Sequence, residues 1–258
     1  MDFDALVSIM GSRLTPAGLL VVALSGGVDS GLVAAAAHAA GTGPASGGRV
    51  VAVTVCSELS AGRDVERASA VARHIGLAHG TLTARLLENE AVRRNNADRC
   101  YHCKRAIFDL MRREFGQECL LVDGTNADDD PARPGLRAAQ EYGVFHPLKE
   151  LAIPKVRVRE LARGLGLPNW DTPSESCLAT RLPQGLALTQ ARLDKVRAME
   201  DFLRERGVKT LRARHDDMVA TVEYPAQYAG IIAQERDSLA DMIKGIGLGS
   251  CQFKEWTE

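Results

Sequence analysis

Apolar positions along the chain follow two different rhythms. Residues 19–24 and 49–56 are near-continuous apolar runs, the second rich in β-branched side chains. Runs of that length without polar alternation read as strands buried on both faces of a parallel sheet. Between them, residues 30–40 are Ala-rich and read as a helix, followed by a Gly/Pro/Ser loop over 41–48. Residues 63–75 read as a helix and 81–83 as a short strand. Residues 104–115 read as a helix with Ile107, Phe108 and Met111 on its apolar face, and 120–123 as a strand running into Gly124-Thr125-Asn126. Repeated β–α units predict a parallel sheet with right-handed crossovers, whose ligands sit at the carboxyl ends of the strands.

The rhythm changes after Pro168. Residues 169–185 read as a loop containing Pro173 and Pro183. Residues 189–206 place Leu193, Val196, Met199 and Leu203 at helical spacing. Short strands are predicted over 211–214 and 219–223, and a further helix over 226–243. The expected organisation is an α/β domain over residues 1–185 and a smaller α+β domain over 186–258.

Composition narrows the function. A chain of 258 residues can bury a sizeable core in one large domain or two small ones. Its 32 Lys and Arg nearly cancel 33 Asp and Glu, so no global field favours a nucleic acid or an anionic membrane. No apolar run reaches the ~20 residues of a membrane span. Residues 1–10 carry acids early and lack a basic n-region, unlike a signal peptide. A cytoplasmic enzyme is expected, in which six cysteines serve as thiols, metal ligands or catalysts rather than disulfides.

Three segments carry candidate chemistry. Ser25-Gly26-Gly27-Val28-Asp29-Ser30 joins a predicted strand to a predicted helix. A Gly-Gly turn at a helix start aims backbone N–H groups and the positive helix end at one spot, and two serines add hydroxyls. No Lys follows the glycines and no G-x-G-x-x-G is present, which excludes the Walker and dinucleotide fingerprints. The hexapeptide resembles the PP-loop of ATP pyrophosphatases, which cleave ATP to AMP and pyrophosphate. The second segment starts at Asp123-Gly124-Thr125-Asn126-Ala127-Asp128-Asp129. It continues through Arg133-Pro134-Gly135 and Glu141-Tyr142-Gly143-Val144 to His146-Pro147-Leu148. Small residues at a strand end admit a nucleotide and acids can serve Mg²⁺, although a capped turn uses the same residues.

The third segment is cysteine chemistry. Arg99-Cys100-Tyr101-His102-Cys103-Lys104 holds a C-x-x-C beside basic residues that favour thiolates, consistent with a redox pair, half a zinc site or part of an iron–sulfur site. Cys177 lies in Glu175-Ser176-Cys177-Leu178-Ala179-Thr180-Arg181, a Pro-flanked loop with a cation four residues on. Cys56 and Cys119 sit in apolar strands and read as core, and Cys251 has no such setting.

Taken in order over residues 15 to 225, these motifs resemble the LarE family of pyridinium-3,5-biscarboxylic acid mononucleotide sulfurtransferases, which serve the nickel-pincer cofactor of lactate racemase. The resemblance implies a PP-loop α/β domain with a smaller C-terminal domain, a hexamer, ATP and Mg²⁺, a sulfide source, and no nucleic acid or membrane partner. It implies that Ser25, Gly26, Gly27, Asp29, Ser30, Gly124, Thr125 and Asn126 bind the nucleotide. It makes Cys177, Asp29 and Arg181 catalytic, and Arg181, Glu200, Arg212 and Arg214 substrate-binding. In one version of the family chemistry the cysteine matching Cys177 gives up its own sulfur. In the other, three cysteines bind a [4Fe-4S] cluster that leaves one iron open. Cys100, Cys103 and Cys177 follow the three-cysteine pattern, so the cluster version is expected. This chain departs in a short spacer over 128–133, in Thr180 where Ser is common, and in residues 245–258, which match poorly. Rival readings are a tRNA thiolase, a glutamine-dependent synthetase, or a nucleotide-binding regulator without catalysis. No RNA-binding appendage or glutaminase domain is evident for the first two, and the third leaves the cysteines without a role.

Overall fold

The computed structural model describes residues 2–15, 17–43 and 48–256; the middle of the expected 41–48 loop, residues 44–47, lies outside them. In chain order the helices and strands are α1 (Asp2–Arg13), β1 (Leu19–Ala23), α2 (Val28–Thr42), β2 (Arg49–Ser57), α3 (Asp64–Ile75) and β3 (His79–Ala84). Then come α4 (Glu90–Arg93), α5 (Arg99–Phe115), β4 (Leu120–Val122), α6 (Pro134–Glu141), α7 (Pro147–Glu150) and α8 (Lys155–Gly164). A 3-10 turn at Leu178–Arg181 precedes α9 (Gln190–Glu205), β5 (Arg212–His215), β6 (Val219–Pro225), α10 (Ala229–Gly245) and β7 (Ser250–Trp256). No described helix is long and apolar enough to cross a membrane.

The chain forms two compact units. The first holds an α/β sheet of order β3-β2-β1-β4, with every pairing parallel. The period of two is visible in β1: Leu20 and Val22 join the core shared with α2, α3 and α8, whereas Val21 joins Val53, Leu121, Phe108 and Met111 on the other face. Helices therefore cover both faces, which is why β1 and β2 are apolar without alternation. Helix α2 has Ala34, Ala35, Ala36 and Ala37 all buried, and these small side chains allow a close approach to the sheet. Strand β2 pairs on one side of β1 and β4 on the other, so the strand order reverses there. Ligand crevices form outside the carboxyl ends of strands at such a reversal.

The second unit holds a mixed three-stranded sheet, with β5–β6 antiparallel and β6–β7 parallel. Met199, Leu203, Ala213, Val222, Leu239 and Ile243 build its core from α9, α10 and the sheet. Thr189 caps α9 by accepting from the Arg192 N–H at 3.2 Å.

Some boundaries differ from expectation. The expected division at residue 186 falls at Ser176, and Glu58–Ala61 and Leu86–Arg99 also belong to the second unit. The reason is hydrogen bonding: Leu178 N–H donates to Leu59 O, Gly185 N–H to Asn95 O and Leu188 N–H to Arg93 O. Helix α5 starts at Arg99 instead of 104, so Cys100 and Cys103 sit at its N-terminal end. Cys119 is buried just before β4, and Cys56 is half-buried in β2.

Candidate functional site

The turn after β1 is held open by its own side chains. The Ser30 hydroxyl donates to Gly27 O at 3.1 Å and accepts the Ser25 N–H at 3.1 Å. Its single proton thus committed, it accepts from the Ser25 hydroxyl at 3.0 Å. Gly27 N–H donates to Ser25 Oγ at 3.4 Å. The expected role of the serines as ligand donors is therefore joined by an internal one, in which they staple the loop. Gly26 sits at φ +81°, and a Cβ there would lie 2.7 Å from Asp64 O. A Cβ on Gly124 would lie 2.5 Å from Ser30 N, so the end of β4 crosses directly against the first turn of α2. Gly27 differs: a Cβ would meet only Ser25 Oγ, at 3.4 Å. Open space beside that glycine, next to N–H groups that have no intrahelical acceptor, is what a phosphate requires.

Asp29 is where three elements meet. Asn126 Nδ2 donates to Asp29 Oδ1 at 3.0 Å, and the Lys155 ammonium is bonded to Asp29 Oδ2. Asn126 is fixed in turn, its Oδ1 accepting the Asp128 N–H at 2.9 Å and its N–H donating to Asp129 Oδ2 at 2.9 Å. Asp123 accepts from Thr125 N–H at 2.9 Å and from His146 Nδ1 at 2.7 Å, with Lys104 Nζ 3.9 Å from its other oxygen. Burial pushes the Asp123 carboxyl up, but the His146 hydrogen bond and the Lys104 charge outweigh it and hold the group well below the usual carboxylate range. Asn169 Nδ2 donates to Gly26 O at 2.9 Å and packs against Gly31. Neither Lys155 nor Asn169 was found by sequence reasoning, because nothing local to them signals a partner more than a hundred residues away.

The second candidate site belongs to the second unit. Cys177 is half-buried at the start of the 3-10 turn, where Thr180 N–H and the Thr180 hydroxyl donate to its carbonyl at 3.0 and 2.8 Å. Arg99 Nη2 lies 3.9 Å from Cys177 Sγ, and Arg99 Nη1 donates to Ala179 O at 3.2 Å. Arg214 Nη1 donates to Thr180 O at 2.6 Å and Arg214 Nε to Glu223 at 3.0 Å. Arg212 and Arg214 alternate with buried Ala213 and His215, so the two arginines share the partly exposed face of β5. Arg212 also lies over Trp256, 5.6 Å from the ring centre.

Arg181 and Glu200, expected at the substrate, face each other instead of solvent. Arg181 is 2% exposed and Glu200 0%. Arg181 Nε donates to Glu200 Oε1 at 2.8 Å, Arg204 Nη2 to Glu200 Oε2 at 2.7 Å, and Ala213 N–H to Glu200 Oε1 at 3.2 Å. Arg181 Nη1 reaches Ser176 Oγ and Thr180 Oγ1 at 2.6 and 3.0 Å. The pair is a brace: Glu200 holds Arg181, and Arg181 holds both ends of the segment that carries Cys177. Breaking a buried ion pair from one side strands a charge at a cost of about 3–5 kcal/mol. Glu200→Ala is expected to lower stability by about that much, and denaturant unfolding checks it.

Cys100 is exposed and Cys103 half-buried, three residues apart on one face of α5. Among the described residues no group of three or more His, Cys, Asp and Glu side chains is gathered to hold a metal ion.

Comparison with known proteins adds the following. The asparagine synthase family model matches residues 4–110. An uncharacterised protein of Synechocystis is 35% identical over 228 residues, covering 87% of this chain and 82% of that one. The pyridinium-3,5-bisthiocarboxylic acid mononucleotide synthase of Lactiplantibacillus plantarum is 29% identical over 231 residues, covering 88% and 82%. The tRNA-specific 2-thiouridylase of Rhizorhabdus wittichii is 30% identical over 206 residues, but those cover 62% of this chain and 50% of that one.

Proposed function

The chain belongs to the LarE family of PP-loop ATP pyrophosphatases and is an ATP-dependent enzyme, and from that premise we propose that it converts a carboxylate of pyridinium-3,5-biscarboxylic acid mononucleotide to a thiocarboxylate. The observation that carries the reading is the stapled Ser25–Ser30 turn, with open space beside Gly27 where Gly26 and Gly124 are tightly packed. A carboxylate oxygen attacks the α-phosphorus of ATP, pyrophosphate leaves, and an acyl-adenylate forms. The loop N–H groups receive the charge that develops on the leaving pyrophosphate. Mg²⁺ enters with ATP, since this ion is commonly held by one or two carboxylates plus phosphate oxygens. Asp29 is the carboxylate that lies in the loop itself.

The second step uses Cys177. Its thiolate attacks the acyl carbon, AMP leaves, and a thioester joins substrate to protein. Loss of the Cys177 Hα to solvent with breakage of the Cβ–Sγ bond then releases the thiocarboxylate and leaves dehydroalanine. Thr180, Arg181 and Arg214 hold the segment in place, and Arg99 donates toward the sulfur. A [4Fe-4S] cluster on Cys100, Cys103 and Cys177 would instead supply a sulfide from outside and spare the protein; it rests on the cysteine pattern, and anaerobic iron content tests it.

The reading is tested by incubating the protein with ATP, Mg²⁺ and the mononucleotide. Pyrophosphate release that depends on the mononucleotide, with a product gaining sulfur in place of oxygen, is the expected result. Transfer of sulfur to tRNA in its absence would favour the thiouridylase relatives.

Arg212 and Arg214 are assigned the substrate phosphate, which suits a fixed fork of donors that is always charged. Arg212→Ala is expected to raise KM for the mononucleotide by roughly tenfold or more and leave KM for ATP unchanged. Because Arg212 also stacks on Trp256, Arg212→Lys is the control for lost charge against lost packing. Unchanged mononucleotide KM in Arg212→Ala would remove the assignment.

A further inference from the structure

Asn169 uses only half of its amide. The residue is 3% exposed, and its Nδ2 donates to Gly26 O at 2.9 Å. Its Oδ1 is buried without a hydrogen-bond partner among the described residues. A buried polar atom left unpaired is destabilising, and what the amide supplies against that cost is the bond to Gly26. Helix α2 makes room for it: a Cβ on Gly31 would lie 3.0 Å from Asn169 Nδ2 and 3.2 Å from Oδ1.

The turn that carries Asn169 is itself clamped. Leu167 is buried and its N–H donates to Ala162 O at 2.9 Å, while Asn169 O accepts the Thr172 N–H at 3.2 Å. Arg159 of α8 donates to Trp170 O and to Thr172 O, both at 3.0 Å. The amide is therefore presented to the glycine loop by a fixed backbone.

What it grips is the peptide between Gly26 and Gly27. That peptide is trans, so its carbonyl and its N–H point in opposite directions. With Gly26 O turned onto Asn169, the Gly27 N–H points away from it. The Gly27 N–H contact to Ser25 Oγ is long, at 3.4 Å, which leaves the donor available to a stronger acceptor. A Gly-Gly peptide is also the one most free to rotate, since neither residue has a Cβ. Half a turn would exchange the two groups. A carbonyl oxygen would then stand where the cradle needs an N–H, and it would repel a phosphate.

We propose that Asn169 is a positioning residue of the glycine loop, whose amide locks the Gly26–Gly27 peptide in the orientation that offers Gly27 N–H to the leaving pyrophosphate. The assignment rests on the nucleotide-site reading given under Proposed function. It extends that reading to a side chain outside the motif, which acts through the loop backbone.

Calorimetric titration of inorganic pyrophosphate and of AMP, each with Mg²⁺, into wild type, Asn169→Leu and Asn169→Asp tests it. Both variants keep the approximate size of the side chain and remove the amide donor. Each is expected to bind pyrophosphate roughly tenfold or more weakly and AMP within about twofold of wild type. Thermal unfolding checks that each is folded. Wild-type pyrophosphate affinity in either folded variant overturns the proposal alone. Equal losses for AMP and pyrophosphate also overturn it, because the amide would then hold the site together without setting the peptide. Failure of both variants to fold overturns it as well, since the residue would then serve the core. A wild-type protein that binds neither ligand overturns the nucleotide-site reading itself, and this assignment with it.

Discussion

Cys177→Ala is expected to end thiocarboxylate formation completely while pyrophosphate release continues. The adenylation step uses the glycine loop, and no atom of Cys177 takes part in it. The sulfur step has no substitute nucleophile on the segment: Ser176 Oγ and Thr180 Oγ1 are bonded to each other at 2.9 Å and both accept from Arg181. Cys177→Ser is expected to behave like Cys177→Ala in sulfur transfer. Mass analysis of the spent wild-type chain gives the mechanism. If Cys177 gives up its own sulfur, one turnover removes the mass of H₂S, about 34 Da, and Cys100→Ala and Cys103→Ala keep that single turnover. If a cluster supplies sulfide, the chain carries about four irons, repeats its turnover with added sulfide, and fails when any of the three cysteines is replaced. Thiocarboxylate formation by Cys177→Ala would return the protein to the wider PP-loop class.

The parts of this molecule that could be read from the sequence are those in which neighbouring residues share one environment. Strands β1 and β2 are buried on both faces, and their apolar runs state this directly. Helix α9 was legible because Leu193, Val196, Met199 and Leu203 are all buried on one stripe. Helix α8 was not, since Val158 and Ala162 are its only fully buried side chains between charged positions. Strand β3 extends to His79–Ala84 at the sheet edge, where His79, Gly80 and Ala84 flank the predicted core at 81–83 without a β-branched or aromatic side chain to signal the strand. The start of α5 before residue 104 was hidden by Arg99 and His102, polar neighbours that look like loop. The same division applies to the site. The loop at 25–30 is a contiguous motif, and its hexapeptide was sufficient. The Asp29–Lys155 pair joins elements 126 positions apart. Of the Arg181–Glu200–Arg204 brace, Arg181 and Glu200 were read only as separate substrate-binding charges and Arg204 was not read at all, because Glu200 and Arg204 lie on a helix whose apolar stripe draws the eye.

Ser30→Ala and Asp29→Ala are expected to reduce pyrophosphate release by two orders of magnitude or more, on the order of 3 kcal/mol of transition-state stabilisation. They do so for different reasons. The Ser30 hydroxyl is buried, and it accepts from the Ser25 N–H while donating to Gly27 O. Without it the turn loses its staple, and the N–H groups that should be fixed before ATP arrives must be ordered during the reaction. The loss should therefore fall on kcat as well as on ATP binding, and a serine-to-threonine change that keeps the hydroxyl should recover part of it if the methyl group is accommodated. Asp29 accepts from Asn126 and holds Lys155, so Asp29→Ala removes an anchor for two elements at once. Asp29→Asn keeps a hydrogen-bonding side chain of the same shape without the charge. If Asp29 serves the metal, Asp29→Asn should raise the Mg²⁺ concentration needed for half-maximal rate, whereas a purely structural role predicts no such shift. Thermal unfolding and circular dichroism confirm that each variant is folded. Folded Ser30→Ala and Asp29→Ala proteins that release pyrophosphate at the wild-type rate would sink the assignment of this loop as the ATP site, whatever the similarity of the chain to its relatives.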